Sequence, residues 1–428
     1  MRKVKQSNKN ITPFGGLNFI LQAFSKKGID NILDRSIGFR NVRAKYSYSD
    51  VVLSLFCNSL CMGDYISDLS TLKSKFKDQF FSNIPSADTI EYVCQELKTP
   101  TIIETTDSGV VHEFNYNNSM NLSLLDLAIE TGQLEVNVKT NYTLDFDNVV
   151  VETEKQDAKK SYKRTLGYHP SISFIGRLPV HLENRNGNTP ARYQQKETLE
   201  RCFYQLDSRG IKIQVFRADS ASYQKEVIDL VSQKAARFYI RITDFAALRE
   251  HCSKAKGWKL IEINNEPKEV TSIMFAPFGE DKKYRVVVTR SLKKNGQLDL
   301  ITGCAYNYYG IITNELVLEN KEIIEFYNQR GDAENSNRNL LNDFNLHHLP
   351  FPDMSTNTVY MYLMCMCSTI FEWSKTILVK NETPIIKLNM RVKAVCFHYI
   401  MVASNFIDHA GQRIIQMFSK NEYQILKI

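Results

Sequence analysis

The sequence has no paired cysteine spacing, no aliphatic-rich run of spanning length, and no large net charge. Each absence excludes something. Its nine cysteines include Cys57 with Cys61 and Cys365 with Cys367, spacings that match neither a disulfide framework nor a zinc site. Free cysteine is among the most buried residue types, so core packing in a reducing cytoplasm is expected. The N-terminus is basic but lacks an apolar segment and a small-residue cleavage site, so no secretory signal is expected. One uncharged stretch, 354–371, approaches spanning length, but Ser355, Thr356, Asn357, Thr358, Ser368 and Thr369 interrupt it. A buried helix is expected there rather than a membrane span. With 43% hydrophobic and 24% charged residues, disorder, collagen and a small disulfide scaffold are also excluded. At 428 residues the chain exceeds one ordinary domain.

What charge there is sits in one place. The net charge is +7, and residues 1–50 alone account for it, with Arg2, Lys3, Lys5, Lys9, Lys26, Lys27, Arg35, Arg40, Arg43 and Lys45 against Asp30, Asp34 and Asp50. The rest of the chain balances at 44 basic and 44 acidic residues. Such asymmetry favours a polyanion or membrane contact at the N-terminal end.

Residues 1–135 read as a helical, basic unit. Pro85-Ser86-Ala87-Asp88-Thr89 starts a helix whose Ile90, Val93, Cys94 and Leu97 share one face. From 136 the texture changes to strands: 136–151, 171–175, 178–182, a polar loop over 183–190, a helix over 191–209, a strand over 211–217, a helix over 222–234 and a strand over 238–242. A β-rich run follows within 246–312, with strands expected at 258–263, 270–275, 284–289 and 300–305. A long helix over 313–344 and helices over about 355–380 and 389–418 complete 313–428.

Three carboxylates stand out. Asp147 ends the first strand and Asp219 ends the strand over 211–217. Glu334 lies on the long helix. Strand ends of an α/β sheet are where ligands bind. Two carboxylates from strand ends and one from a helix suit two Mg²⁺ ions, which prefer oxygen ligands and serve in-line phosphoryl displacement. An Asp at a strand end is also a common turn or cap residue. Tyr327, Arg330 and Glu334 share one helix face, which would set a guanidinium suited to phosphate beside a carboxylate. Lys155, Lys159, Lys160, Lys163 and Arg164, with Tyr162 interleaved, suit either a DNA backbone or a solvated hairpin tip. His169, His347 and His348 have no ligand spacing and read as structural.

Taken in order, these segments resemble the DDE transposases of bacterial insertion sequences, in the branch with a Tyr-x2-Arg-x3-Glu-x6-Lys helix and a β-stranded insertion. The resemblance rests on Leu144-Asp145-Phe146-Asp147, Gly167-Tyr168-His169-Pro170, Gly187-Asn188-Thr189-Pro190, Arg217-Ala218-Asp219-Ser220 and Tyr327-Asn-Gln-Arg330-Gly-Asp-Ala-Glu334. It implies an α/β fold with a ribonuclease-H-like mixed-sheet core (136–245), a β-rich insertion (246–312), C-terminal helices and an N-terminal DNA-binding region. It implies a metal-binding catalytic trio of Asp147, Asp219 and Glu334, with Asp145 competing for the first position from the same strand face. It further implies two Mg²⁺ ions or Mn²⁺ in their place, and double-stranded DNA partners (terminal inverted repeats and target). A dimer on DNA, a bacterial cytoplasmic setting and no membrane partner also follow. Tyr327, Arg330, Lys159, Lys160 and Lys163 would contact DNA phosphate. The family lysine falls at Leu341, and Arg338, four residues after Glu334, is the cation expected to replace it. A nuclease without strand transfer and a non-catalytic DNA-binding derivative are the alternatives.

Overall fold

The computed structural model describes residues 11–76, 83–137, 140–242, 246–279, 282–292, 306–381, 383 and 385–419. The expected strand at 300–305 and the basic residues Arg2, Lys3, Lys5 and Lys9 lie outside these.

The N-terminal part is built of helices α1 (Leu17–Lys27), α2 (Ile29–Ile37), α3 (Tyr48–Leu60), α4 (Asp68–Lys75), α5 (Ala87–Leu97) and α6 (Asn118–Glu130). Local chemistry sets their starts. Ser47 and Asp50 form a reciprocal capping box on α3, at 3.0 and 2.9 Å. Ser86 caps α5 as the Pro85–Thr89 segment predicts. A hairpin not anticipated from the sequence, β1 (Ile102–Thr105) and β2 (Val111–Asn115), interrupts the helices.

The other strands of the large sheet are β3 (Tyr142–Asn148), β4 (Ser171–Ile175), β5 (Leu178–Arg185), β6 (Ile213–Ala218), β7 (Arg237–Ile242), β8 (Lys259–Ile263), β9 (Glu266–Phe275), β10 (Tyr284–Leu292) and β11 (Tyr306–Thr313). Helices α7 (Gln195–Ser208) and α8 (Lys225–Lys234) connect β5 to β6 and β6 to β7, and α9 (Ala246–Lys254) follows β7. The sheet order is β8-β9-β10-β11-β7-β6-β3-β4-β5-β2-β1. In its middle β3, β6 and β7 run parallel, while β4 is antiparallel to β3 and β5 to β4. Numbered along the chain, these five strands lie in the order 3-2-1-4-5, the ribonuclease-H-like arrangement. The β-rich insertion is not a separate layer. It extends the same sheet, because β11 pairs with β7.

Alternation decides what each strand offers. Leu144, Phe146, Phe216 and Ala218 join the core under α7 and α8. Their neighbours Asp145, Asp147 and Arg217 therefore face the opposite side. That side is covered by α10 (Asn320–Asn328), α11 (Gly331–Asn342) and α12 (Met354–Lys380).

The uncharged stretch is the heart of α12. It packs on α3, α5, α6 and β5, and is buried almost throughout. Its hydroxyls are satisfied inside the helix: Thr358 Oγ1 donates to Met354 O at 2.7 Å and Ser374 Oγ to Ile370 O at 2.8 Å. Among the described residues no helix is long and apolar enough to cross a membrane. Of the described cysteines, all but Cys61 are buried.

Three expectations are corrected. The helix over 313–344 is two helices, because β11 runs to Thr313 and the chain turns at Gln329-Arg330-Gly331, where Arg330 N donates to Tyr327 O at 2.9 Å. The loop over 183–190 begins as strand: β5 continues to Arg185, because fully buried Glu183 pairs with both fully buried Arg185 and Arg201. The helix over 389–418 is a short helix at Val392–Val395 followed by a hairpin, Ser404–His409 with Gln412–Met417, whose turn Ala410-Gly411 takes φ of 50° and 76°. That hairpin pairs with Ile11–Thr12.

Candidate active site

Parallel pairing sets Ala218 beside Phe146, which brings the next residues, Asp219 and Asp147, to one end of adjacent strands. Asp219 leaves β6 in extended conformation and accepts from Ala221 N at 3.0 Å, capping a single 3-10 turn over Ser220–Ser222. Gln195, fully buried, holds that turn by donating to Ser222 Oγ at 2.7 Å. Glu334 stands in the first turn of α11, with 59% of its side chain exposed.

Arg330 joins the two elements. One guanidinium nitrogen donates to Asp147 Oδ1 at 2.9 Å and the other to Glu334 Oε1 at 2.5 Å. Its side chain is 7% exposed, and Nε has no partner. Tyr327 donates to Ala218 O at 3.2 Å, tying the end of α10 to the strand that carries Asp219. Burial pushes the Tyr327 hydroxyl up to about 12. Asp147 Oδ2 accepts from Asn337 Nδ2 at 3.0 Å. Burial raises Asp147 to about 6, Arg330 opposes the shift, and the charges of Asp219 and Glu334 add to it.

Asp145 is spent elsewhere. Arg217 lies opposite it in register and grips it through two contacts of 2.8 Å, Nε to Oδ1 and Nη2 to Oδ2. Arg217 also donates to Phe326 O at 2.6 Å and stacks over the Phe326 ring. The two aspartates of this strand face thus have different partners, Arg217 for Asp145 and Arg330 for Asp147.

The basic segment is partly engaged. Lys159 pairs with Glu113 at 2.9 Å and its amide donates to Asn186 Oδ1. Lys160 is exposed at the end of the short strand Lys159–Lys160, and Lys163 and Arg164 are exposed on the turn that follows, beside exposed Tyr162. Tyr162 packs on His169, whose imidazole is pushed down by burial and feels the charges of both Lys163 and Asp219. The two glycine motifs have a structural cause. A Cβ on Gly187 would come within 2.2 Å of Lys159 O and 2.5 Å of Gly167 O, so these backbones touch where only glycine fits. His169 Nδ1 lies 2.9 Å from Thr189 O and links the same motifs.

Arg338 is exposed one turn beyond Glu334, while Leu341 is half-buried and packs against the core. His347 lies 2.9 Å from Asn342 Oδ1 and His348 packs at a tilt on the Tyr65 ring. Asn337 was not singled out by its sequence context. Its position three residues after Glu334 on one helix face is the signal that finds it.

Among the described residues no three His, Cys, Asp or Glu side chains gather closely enough to hold a metal ion as they stand. Arg330 supplies the positive charge between Asp147 and Glu334. The donor set itself suits a hard cation: three carboxylates, and the buried Asn337 Oδ1, which has no partner.

No curated protein matched the chain. Among solved structures, it is similar to a piggyBac transposase synaptic complex with hairpin DNA. Identity is 12%, with 92% of this chain and 82% of that one covered and a TM-score of 0.43. A family model described as transposase DDE domain group 1 matches residues 3–426, and the chain belongs to that family.

Proposed function

We propose that this transposase cuts DNA at the ends of its own mobile element and joins the freed ends to target DNA, using divalent metal ions. Family membership supports a DNA-processing transposase, and DDE transposases generally use divalent metal. The observation that carries the reading is the convergence of Asp147 and Asp219 at paired strand ends with Glu334 across Arg330.

In this reading Asp147, Asp219 and Glu334 hold two Mg²⁺ ions, with Mn²⁺ able to replace them. The ions supply charge neutralisation for the attacking and leaving oxygens. Water attacks the phosphorus at the element end, the bond to the 3′ oxygen breaks, and that oxygen leaves as a hydroxyl. The hydroxyl then attacks a target phosphorus, loses its proton, and displaces the target's own 3′ oxygen. No covalent protein intermediate is needed, so the chain's work is positioning. Arg330 and Tyr327 orient the cleaved phosphate. Arg338 and the Lys160–Lys163 turn hold flanking backbone, and Lys159 steadies that turn. The basic N-terminal helices engage the terminal repeats. Joining two ends in one complex requires at least a dimer on DNA.

The test is Mg²⁺-dependent cleavage and joining of an end-containing DNA by the full chain, with Asp219→Ala as control. The expected result is both reactions in the parent and neither in the variant. Cleavage without joining would reduce the function to that of a nuclease, and binding without cleavage to that of a DNA-binding derivative. Equal activity in Asp219→Ala would sink the site assignment. Full end binding and joining by Arg338→Ala would remove that residue from the phosphate contacts.

A further inference from the structure

Asn337 is polar, interior and only half used. It is 5% exposed, and its Nδ2 donates to Asp147 Oδ2 at 3.0 Å. Its Oδ1 is buried with no hydrogen-bond partner. A buried amide oxygen left without a donor or cation is costly, so native interiors rarely keep one. Because Nδ2 is fixed on the carboxylate and Oδ1 shares the same amide carbon, the unpartnered oxygen is held beside Asp147. Helical spacing sets Asn337 on the same face of α11 as Glu334, three residues earlier. The acidic cluster thus contains a neutral oxygen donor with unspent lone pairs. Arg330 does not use it, since its guanidinium bonds go to Asp147 and Glu334.

We propose that Asn337 is part of the cation site: its Nδ2 fixes the Asp147 carboxylate, and its Oδ1 supplies a further oxygen ligand to the divalent ion that Asp147 and Glu334 bind. This rests on the carboxylate site proposed above. A neutral amide oxygen suits the place. It adds a ligand to a hard cation without adding a fourth negative charge to a group that Arg330 already has to neutralise. The arrangement also explains why α11 presents an amide rather than another carboxylate against Asp147. A carboxylate there could not donate to Asp147 Oδ2.

Mn²⁺ binding to the full chain without DNA, followed by paramagnetic resonance or calorimetry, tests this independently of activity. Four proteins are compared: the parent, Asn337→Leu, Asn337→Asp and Asp147→Ala. Expected is a drop of about 10- to 100-fold in Mn²⁺ affinity for Asn337→Leu. Asn337→Asp, which keeps an oxygen, should retain parental affinity or better while its metal-free form melts at lower temperature. Equal weakening in both Asn337 variants would overturn the ligand role and leave only the orientation of Asp147. Unchanged affinity in Asn337→Leu, with Asp147→Ala losing its binding, would overturn the inference and spare the carboxylate site. Parental affinity in Asp147→Ala, or no Mn²⁺ binding by the parent, would overturn the site itself.

Discussion

Arg217 grips Asp145 with two contacts of 2.8 Å, only two residues along the strand from Asp147. The pair is nearly sealed, with side-chain exposures of 7% and 2%. Breaking such a pair strands a buried charge. Asp145→Ala or Arg217→Ala should therefore lower stability by about 3–5 kcal/mol in denaturant unfolding. The double replacement Asp145→Leu with Arg217→Met should cost much less. If either single variant unfolds like the parent, the pair does not brace the strands.

Burial also acts on Asp147. Burial raises it from 3.8 to about 6, so between those values the folded chain binds a proton that the unfolded chain does not. Its contribution to stability is complete at low pH and is lost as pH rises through about 6. In metal-free buffer Asp147→Asn, which carries no such charge, should gain stability relative to the parent as pH rises across that range. The variant should also be inactive in cleavage. A stability difference that does not change with pH would contradict the raised carboxyl.

The exposed turn carrying Lys160, Lys163 and Arg164 should act through charge alone. Replacing all three by alanine should weaken binding to any duplex and flatten its salt dependence. The slope of log K against log salt should change by about 0.9 for each phosphate that the turn no longer neutralises. Titrations at several salt concentrations measure it. A parental slope would assign the turn to solvent.

Gly187 is a steric position. Its Cβ would meet Lys159 O at 2.2 Å, and backbone cannot step aside as a side chain can. Gly187→Ala should cost about 1–3 kcal/mol and disorder the neighbouring lysine turn, visible as faster amide exchange over 155–168. Unaltered exchange there would argue that the two loops are not braced on each other.

Much of the architecture is legible in the amino-acid sequence alone. Strands with alternating burial, helices with capped starts, and the family-like segments locate the core and the three carboxylates. What is not legible depends on partners distant in sequence. Asp145 and Asp147 share a strand face, and their different partners, Arg217 for Asp145 and Arg330 with Asn337 for Asp147, come from elements distant in sequence. Glu183 and Arg185 read as loop because two charges look solvated, yet inside they pair with each other, Arg201 also pairs with Glu183, and Thr198 accepts from Arg185. The 389–418 segment reads as helix because short apolar runs do not distinguish the two periods. Ile407 in register with Ile414, across the Ala410-Gly411 turn, settles it as a hairpin. Leu341 looks like a missing cation, but it is a packing residue against the core.

The central position of α12 has a consequence for biosynthesis. Phe24, Phe56, Val93 and Leu124 of the N-terminal helices share one apolar cluster with Met361, Cys365 and Trp373. Those helices cannot complete their interior until the ribosome has released a segment more than two hundred residues downstream. A nascent or prematurely truncated polypeptide therefore lacks a properly packed N-terminal unit, and any grip of these helices on DNA arrives together with the finished catalytic body.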